Sequence, residues 1–460
     1  MSPFLAARDG PRPYTSNRTL DSSEFNAQWT NPSGVFAVLL IVGSDVVSRA
    51  LAQMTGGCVG LPSFSFGWVA YAVNVLSSAF GEGKLMPPPD CSIKVINGKS
   101  GYGRDNTSWI LGRLVRDYEY WMHDDVRNMV CKLLDEATKN NKRPPQVGLC
   151  ISVYKPQVGE GLRKMTDRTT HWCCLAVAAV QLGLAAVPCG LYLEWGVMLI
   201  TVAGIFLSVV TATLPQWGKE KWGRRLLHRL PEPRPRNEAY KRVVLTRGNG
   251  SQHAIVVLGT EGFLDLEALA SGQANVDVST PSTRWWLAVF ALLWILLLIT
   301  ATGLQANTWF LLLVGAIGIG QNIWLAGRRM KPAAFGVPLD IEPVHVYGNV
   351  KVMRALYEVE EDYPGLGRSM RDIFFPGELD PERGEVQMWL SYKEDERTAA
   401  VDAVGKKTDV QGSLADRVDH RLAVSKEIAA QHLAADRPDQ RRADVDATSV
   451  RSEEPVGAGT

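Results

Sequence analysis

The chain has 460 residues, of which 21% are charged, and its formal net charge of +1 is close to zero. So small a net charge gives no reason to expect a nucleic-acid partner. The seven cysteines are an odd number without a Cys-x-x-Cys pair, so neither a disulfide framework nor a metal site is predicted, and no cofactor motif is recognised.

The apolar residues are concentrated in blocks. A hydrocarbon core of ~30 Å needs about 20 apolar residues in a helix. Four blocks of 19 or 20 residues carry no charged side chain, namely Trp172–Gly190, Trp195–Leu214, Trp285–Leu304 and Thr308–Ala326. Two further blocks, Gly34–Met54 and Phe64–Phe80, are less uniform, since the first contains charges and the second has only 17 residues. A helix lying in the interface is the alternative for Gly34–Met54.

The segments between the blocks predict the topology. Three short ones, Thr55–Ser63, Leu191–Glu194 and Gln305–Asn307, contain no Lys or Arg, whereas 81–171 contains fifteen and 215–284 contains eleven. Basic residues that flank membrane spans stay in the cytosol. We therefore expect an α-helical integral membrane bundle of about six transmembrane helices in three hairpins, with both termini cytosolic. The host membrane is not specified.

The predicted organisation combines this bundle with a small cytosolic α+β domain and a disordered C-terminal tail. In chain order it comprises a polar cytosolic segment (1–33), the first transmembrane hairpin (34–80), a cytosolic strand-helix-strand segment (81–171), the second hairpin (172–214), a basic interfacial stretch with a β-hairpin (215–284), the third hairpin (285–326), a cytosolic helical segment (327–392) and the tail (393–460).

Four strand-like runs support the soluble domain. The clearest pair flanks Gly248-Asn249-Gly250-Ser251, where Asn-Gly supplies the positive φ angles of a tight turn. A hairpin alone is only marginally stable, so we expect all four runs to join in one sheet, covered by helices from 106–139. The runs are Ile93–Asn97, Gln146–Tyr154, Lys241–Arg247 and Gln252–Leu258. Within the tail, one helix is predicted to start at Ser413 and end before Pro438.

Polar residues inside the apolar blocks are the leading functional candidates. Asp45, Arg49 and Gln53 follow one another at intervals of four on the first helix, and Asn74 lies on the second. An ionisable pair inside a membrane marks a functional site by default. The alternative is an interhelical clamp that only holds the bundle together.

The stretch Gln216–Leu230 combines tryptophans with cations and resembles a helix that lies in the membrane interface and attracts anionic lipid head groups. Ordinary positive charge flanking a span is an equally good interpretation. The candidate residues are Trp217, Lys219, Trp222, Arg224, Arg225 and Arg229.

Several segments of the chain resemble a family of uncharacterised multi-pass membrane proteins of filamentous fungi. The resemblance covers roughly residues 28–390 and implies a membrane location and a fungal source, but no mechanism and no catalytic residues. The segments are WTNPSGVF (Trp29–Phe36), FSFGWVAYA (Phe64–Ala72), KLMPPPD (Lys84–Asp90), KVINGKSGYGRDN-SWILGRLVRD (Lys94–Asp117), LTRGNGSQHAIVVL (Leu245–Leu258) and YPGLGRS…FFPGEL (Tyr363–Leu379).

No motif specific to a catalytic mechanism is recognised, so a non-enzymatic sensor or scaffold is the preferred interpretation. The alternative is a transporter or channel subunit in which Asp45 and Arg49 line a path. A chain with six transmembrane helices would have to form a homo-oligomer to act as a transporter or channel. An enzyme acting on lipid at the cytosolic face is a third hypothesis, supported only by the basic stretch.

Overall fold

The structure is a computed structural model of the whole chain. It describes residues 33–55, 62–80, 85–140, 148–157, 168–222, 227, 241–272, 281–304, 306–377, 379, 384–402 and 414–435. The predicted polar segment 1–33 therefore lies almost wholly outside the described residues.

Helices and strands are numbered here in chain order within those ranges. The helices are α1 (Ser33–Met54), α2 (Gly67–Phe80), α3 (Trp109–Arg116), α4 (Tyr118–Trp121), α5 (Asp124–Asn140), α6 (Arg168–Tyr192), α7 (Gly196–Ala212), α8 (Pro215–Lys221), α9 (Leu266–Ala270), α10 (Pro281–Thr302), α11 (Thr308–Gly327), α12 (Val352–Asp362), α13 (Leu366–Phe374), α14 (Glu385–Asp402) and α15 (Leu414–Ala435). The strands are β1 (Lys94–Asn97), β2 (Gly103–Asp105), β3 (Leu149–Tyr154), β4 (Lys241–Thr246), β5 (His253–Gly259) and β6 (His345–Asn349).

Three helices among the described residues are long and apolar enough to cross a membrane. They are α6, α10 and α11, and α7 joins them if α7 and α8, which meet at a 44° bend, count as one span. These are the four blocks that the sequence predicts as uncharged spans. The structure thus supports a membrane association through three or four helices, and the count of six is not reached.

Six helices pack in a closed ring, in the order α1, α2, α10, α7, α6, α11 and back to α1. Helices α6 and α10 begin, and α7 and α11 end, at one side of this ring, where the chain passes to the sheet. We call this side the domain end. At the opposite side, the amide of Asn307 donates a hydrogen bond to the carboxylate of Glu194 (2.7 Å) and ties the two short turns together.

The predicted first hairpin requires the end of α1 to lie opposite the soluble domain, whereas the structure places it at the domain end. Met54, at the end of α1, packs with Cys174 and Leu325, which belong to the domain ends of α6 and α11. Helix α2 has 14 residues, or about 21 Å of helix, and is shorter than a ~30 Å hydrocarbon core. Between the two helices, the non-helical residues 62–66 are buried inside the ring.

The six strands form one sheet in the order β2-β1-β4-β5-β3-β6. All pairs are antiparallel except β3 with β5. The four predicted strands are all present and adjacent, and they gain β2 at one edge and β6 at the other. Joining these distant segments into one sheet confirms the prediction of a single α+β unit.

Side chains alternate between the two faces of the sheet, as the strand period requires. Val95, Leu245 and Val257 face α3–α5 and belong to a core that continues into the ring, where it includes Trp294. On the other face, Ile96, Val244 and Val256 pack against α12–α15. The sheet therefore lies between two helical layers, and one of these layers is continuous with the bundle.

The prediction of a disordered tail from residue 393 is wrong where α14 continues to Asp402, whereas the one helix predicted within the tail is present as α15, Leu414–Ala435. Val418 and Ala429 are buried, and four ion pairs attach α15 to α12. They join Arg354 to Asp419, Arg417 to Glu361 and Asp362, and Arg421 to Glu361. The helix starts one residue after Ser413, as predicted, and the rest of the tail beyond 435 lies outside the described residues.

Candidate functional site

A cluster of charged side chains lies at the junction between the ring and the soluble domain, and Asp90 is its centre. The Asp90 carboxylate pairs with Arg113 Nε and with Arg116 Nη1 (3.2 Å), and Arg49 Nη1 lies 3.8 Å away. Arg113 and Arg116 are three residues apart on α3, so their side chains project from neighbouring positions. The Asp90 side chain is only 7% exposed, so cations rather than water stabilise its charge.

The two arginines also bind the end of α11. Arg113 Nη2 donates to the carbonyl of Ala326 (2.7 Å), and Arg116 Nη2 donates to that of Arg328 (3.2 Å). The last carbonyls of a helix lack partners within it and carry partial negative charge, so guanidinium groups stabilise this helix end. Burial lowers the pKa of Arg113 to about 10, which leaves the guanidinium charged at neutral pH.

Lys221 binds the end of α1 in the way that the two arginines bind the end of α11. Its Nζ is buried and donates to the carbonyls of Ala52 and Thr55, both at 2.6 Å. The ammonium also lies 5.1 Å from the ring centre of Trp109, which Arg113 approaches to 4.8 Å. One tryptophan of α3 therefore contacts two of the three cations that bind helix ends.

The neighbouring Glu220 holds the chain where it leaves the ring after α2. One carboxylate oxygen accepts hydrogen bonds from the backbone N–H groups of Leu85 (2.7 Å) and Met86 (2.8 Å). The other accepts from the amide of Gln216 (2.6 Å). Glu220 and Lys221 thus attach α8 to two segments that lie more than 130 residues earlier in the chain.

We call the five side chains that make these contacts the junction cluster. They are Asp90, Arg113, Arg116, Glu220 and Lys221. A buried charge is tolerated only when it is paired and hydrogen-bonded, so each member requires its partners to stay in place. The junction cluster and the shared core thus connect the ends of α1 and α11 with α3, α8 and the sheet.

The predicted intramembrane residues are only partly brought together. Asp45 and Arg49 form the expected ion pair (3.0 Å), but their side chains are 70% and 47% exposed and do not face the interior of the ring. Gln53 lies one helical turn beyond Arg49 on the same stripe but is fully buried, because protein covers this end of α1. Asn74 is exposed and donates to the hydroxyl of Ser44 (2.8 Å), which links α2 to α1.

The predicted lipid-interface residues are corrected in part. Trp217 and Trp222 are buried at 1% and 3% exposure, and Trp217 stacks on Tyr71, so protein rather than lipid covers both rings. Lys219 is exposed. Arg224, Arg225 and Arg229 lie outside the described residues. The helix predicted over 216–230 extends only from Pro215 to Lys221 in the described part of the chain.

The non-helical residues 62–66, which we call the inner segment, were not predicted as a structural feature. The amide of Gln181 donates to the carbonyls of Phe64 (2.8 Å) and Val314 (2.9 Å), and Ser208 Oγ donates to the carbonyl of Pro62 (2.9 Å). Gln181 lies near the middle of α6 and Val314 is one turn from the middle of α11. Non-helical backbone at such depth is tolerated only where protein satisfies it, as here.

Glycines make room for the inner segment. A Cβ at Gly318 would overlap the carbonyl of Phe64, and one at Gly204 or Gly315 would overlap the ring of Phe64 or Phe66. The sequence shows these glycines, but their spacing predicts only close packing of two helices. The junction cluster was missed for a similar reason, because a pattern of tryptophans and cations does not distinguish a lipid neighbour from a protein one.

No family model, curated protein or solved structure matches the chain. The resemblance to proteins of filamentous fungi therefore stays a prediction. Within the described residues, no group of three or more His, Cys, Asp or Glu side chains is placed to hold a metal ion. What the geometry offers is a polar connection between an apolar helical ring and a folded soluble domain.

Proposed function

We propose that the chain is a multi-pass integral membrane protein whose α+β domain acts in the cytosol as a non-enzymatic sensor or scaffold. Helices α6, α7, α10 and α11 cross the membrane in this proposal. Helix α1 ends at the domain end, and the inner segment with α2 forms a re-entrant element that enters the ring and returns to that end. The predicted six spans are thereby reduced to four.

The cytosolic side follows from the distribution of basic residues. The turns 191–194 and 305–307 lack Lys and Arg, whereas the segments that build the domain contain fifteen between 81 and 171 and eleven between 215 and 284. A cytosolic location of both termini remains part of the proposal.

The single observation that carries the sensing role is the junction cluster. Arg113 binds the end of α11 and Lys221 binds the end of α1, so the domain holds two helix ends by hydrogen bonds from buried charges. A change in the packing or tilt of these helices would reach the sheet without a flexible linker in between. A passive membrane anchor would not need so rigid a connection.

Asp45 and Arg49 do not favour the transporter or channel alternative. Both side chains are largely exposed, whereas a path through one ring requires ionisable groups that face its interior. Their pairing is better explained as a way to reduce the cost of two charges on the outside of α1.

The topology is tested by labelling single cysteines with a membrane-impermeant maleimide in sealed vesicles. Leu193 is 81% exposed in the turn opposite the domain end, so Leu193→Cys should react from outside the vesicle. Lys99 is exposed in the β1–β2 turn, and Lys99→Cys should react only after the vesicles are permeabilised. The parent chain is the background control, because it has cysteines of its own. Labelling of both positions from the same side would refute the proposed topology.

The sensing role is tested by hydrogen exchange of the full chain in nanodiscs of short-chain and long-chain phosphatidylcholine. Exchange in β4 and β5 should differ between the two bilayers, and the difference should disappear in Arg113→Met if the junction cluster transmits it. If the bilayer alters exchange in α11 but not in the strands, the domain is not coupled and the sensing role is wrong.

A further inference from the structure

A cavity of about 340 Å³ opens in the soluble domain between the junction of α3 with α4 and the β4–β5 turn. Arg116, Tyr118 and Glu119 line one wall, and Arg247, Gln252 and His253 line the other. This volume is in the range of small-molecule sites (~300–1,000 Å³) and far above the ~10–15 Å³ that one water needs. The cavity is therefore large enough for a ligand.

Two polar atoms of the wall lack a hydrogen-bond partner among the described residues. They are Gln252 Nε2 and His253 Nδ1, and both atoms are buried. Buried polar atoms in folded proteins are almost always hydrogen-bonded, so orphaned ones call for a ligand or water. The ring of His253 is held edge-on against Tyr118 at 5.0 Å between centroids, which fixes its position in the wall.

The charges of the wall favour an anion. Arg116 and Arg247 contribute two guanidinium groups against the single carboxylate of Glu119. Arg116 is partly neutralised by Asp90 and Asp117, whereas Arg247 forms no ion pair with any residue that the structure describes. Guanidinium groups match the oxygens of a phosphate in geometry and charge.

The position of the cavity relates it to the membrane. Arg116, which lines it, also donates to the carbonyl of Arg328, one residue beyond the end of α11. The cavity thus lies within one side chain of the point where the last apolar helix ends. A phosphate could reach it on a soluble ester or on a lipid head group.

We propose that this cavity binds a phosphate monoester, with Arg247 and Arg116 on the phosphate and Gln252 and His253 donating the remaining hydrogen bonds. The ligand would be what the domain senses, so its biological role rests on the proposed function, although its binding chemistry does not. The backbone of the site is held by the β4–β5 turn, in which Gly248 and Gly250 have φ angles of 92° and 81°.

The test is calorimetric titration of the purified full chain in detergent with inorganic phosphate and with glycerol 3-phosphate. Arg247→Gln should weaken binding about tenfold, since hydrogen bonds to charged groups are the strong ones. Glu119→Gln, which removes the opposing charge, should tighten binding. The matched control is Lys99→Gln, an exposed cation in the β1–β2 turn, which should leave the affinity unchanged.

Nanodiscs of phosphatidylcholine with and without phosphatidic acid distinguish the two sources. Protection of the 247–253 region from hydrogen exchange by phosphatidic acid supports a lipid phosphate, and binding of glycerol 3-phosphate without that protection supports a soluble ester. If neither probe binds, or if Glu119→Gln weakens binding while Arg247→Gln does not, the phosphate site is refuted. The affinity of Arg247→Gln is interpreted only if the melting temperature of this variant matches that of the parent chain. If it does not, the phosphate site is judged by whether Glu119→Gln tightens or weakens binding. The maleimide and bilayer-thickness experiments stay informative in either case, because they do not involve the cavity.

Discussion

The carbonyl oxygen of Phe64 rests against Gly318, near the middle of α11, with no room for a Cβ between them. This contact places non-helical backbone inside a ring of helices, where Gln181 and Ser208 donate hydrogen bonds to it. Gly318 is therefore required for space, and the helix gives up some intrinsic stability at that position.

We expect Gly318→Ala to destabilise the fold by about 1–3 kcal/mol, the usual cost of overpacking. Gly320→Ala is the matched control, because nothing lies within 4 Å of its Cβ position, and it should be neutral or stabilising by up to ~1 kcal/mol through helix propensity. Denaturant unfolding in detergent, followed by tryptophan fluorescence, measures both. Equal effects would show that the inner segment does not occupy the ring.

Removing the buried guanidinium of Arg113 should be far more damaging than removing an exposed one. Arg113→Met leaves the Asp90 carboxylate and the Ala326 carbonyl without their closest donor, and breaking a buried pair costs about 3–5 kcal/mol. Arg127→Met, which breaks an exposed pair with Asp124, should cost at most ~1 kcal/mol.

A double variant separates the pair from the rest of the cluster. Asp90→Asn together with Arg113→Met should cost less than the sum of the two single substitutions, because the uncompensated charge is gone. Additive effects in chemical denaturation would mean that Asp90 and Arg113 do not act as a pair.

Lys221 should control the end of α1 specifically. Lys221→Met removes the donor to the carbonyls of Ala52 and Thr55, and a hydrogen bond to a charged group contributes ~1.5–3 kcal/mol. Amide exchange in the last turn of α1 should accelerate roughly tenfold or more, with β4 and β5 unaffected. The exposed Lys219→Met is the matched control, and a similar acceleration in that variant would assign the effect to charge alone.

His253 should make the domain less stable in mild acid. Burial lowers the pKa of His253, Arg247 lowers it further, and Glu119 acts in the opposite direction. Since an unfolded histidine titrates near pH ~6.5, the unfolded state takes up a proton where the folded state does not. The stabilising contribution is thus complete above that pH and is lost as the pH falls below it.

The measurement is the melting temperature of the ligand-free protein across this range of pH. His253→Asn cannot titrate, so its melting temperature should fall less than that of the parent between neutral pH and about pH 5.5. Curves with the same slope for both proteins would show that His253 is not the group responsible.

Much of the secondary structure could be predicted because it depends on local pattern. Charge-free blocks near 20 residues became α6, α10 and α11, and alternating runs beside an Asn-Gly turn became β4 and β5. The short β6 could not be found in this way, since five residues of mixed polarity at a sheet edge carry little pattern. The candidate site was mostly missed, because its residues come from segments far apart in the chain.

The sequence by itself determined which segments are apolar enough for a membrane, which four form the central strands of the sheet, and which connecting segments are basic. Only the tertiary structure decided that Phe64 and its neighbours lie inside the ring and that Lys221 binds Ala52 and Thr55, 166–169 residues earlier in the chain. The physical reason is that hydropathy and charge report how much a residue prefers to leave water. They do not report whether lipid or another part of the protein replaces it, and that depends on which distant backbone groups need a partner.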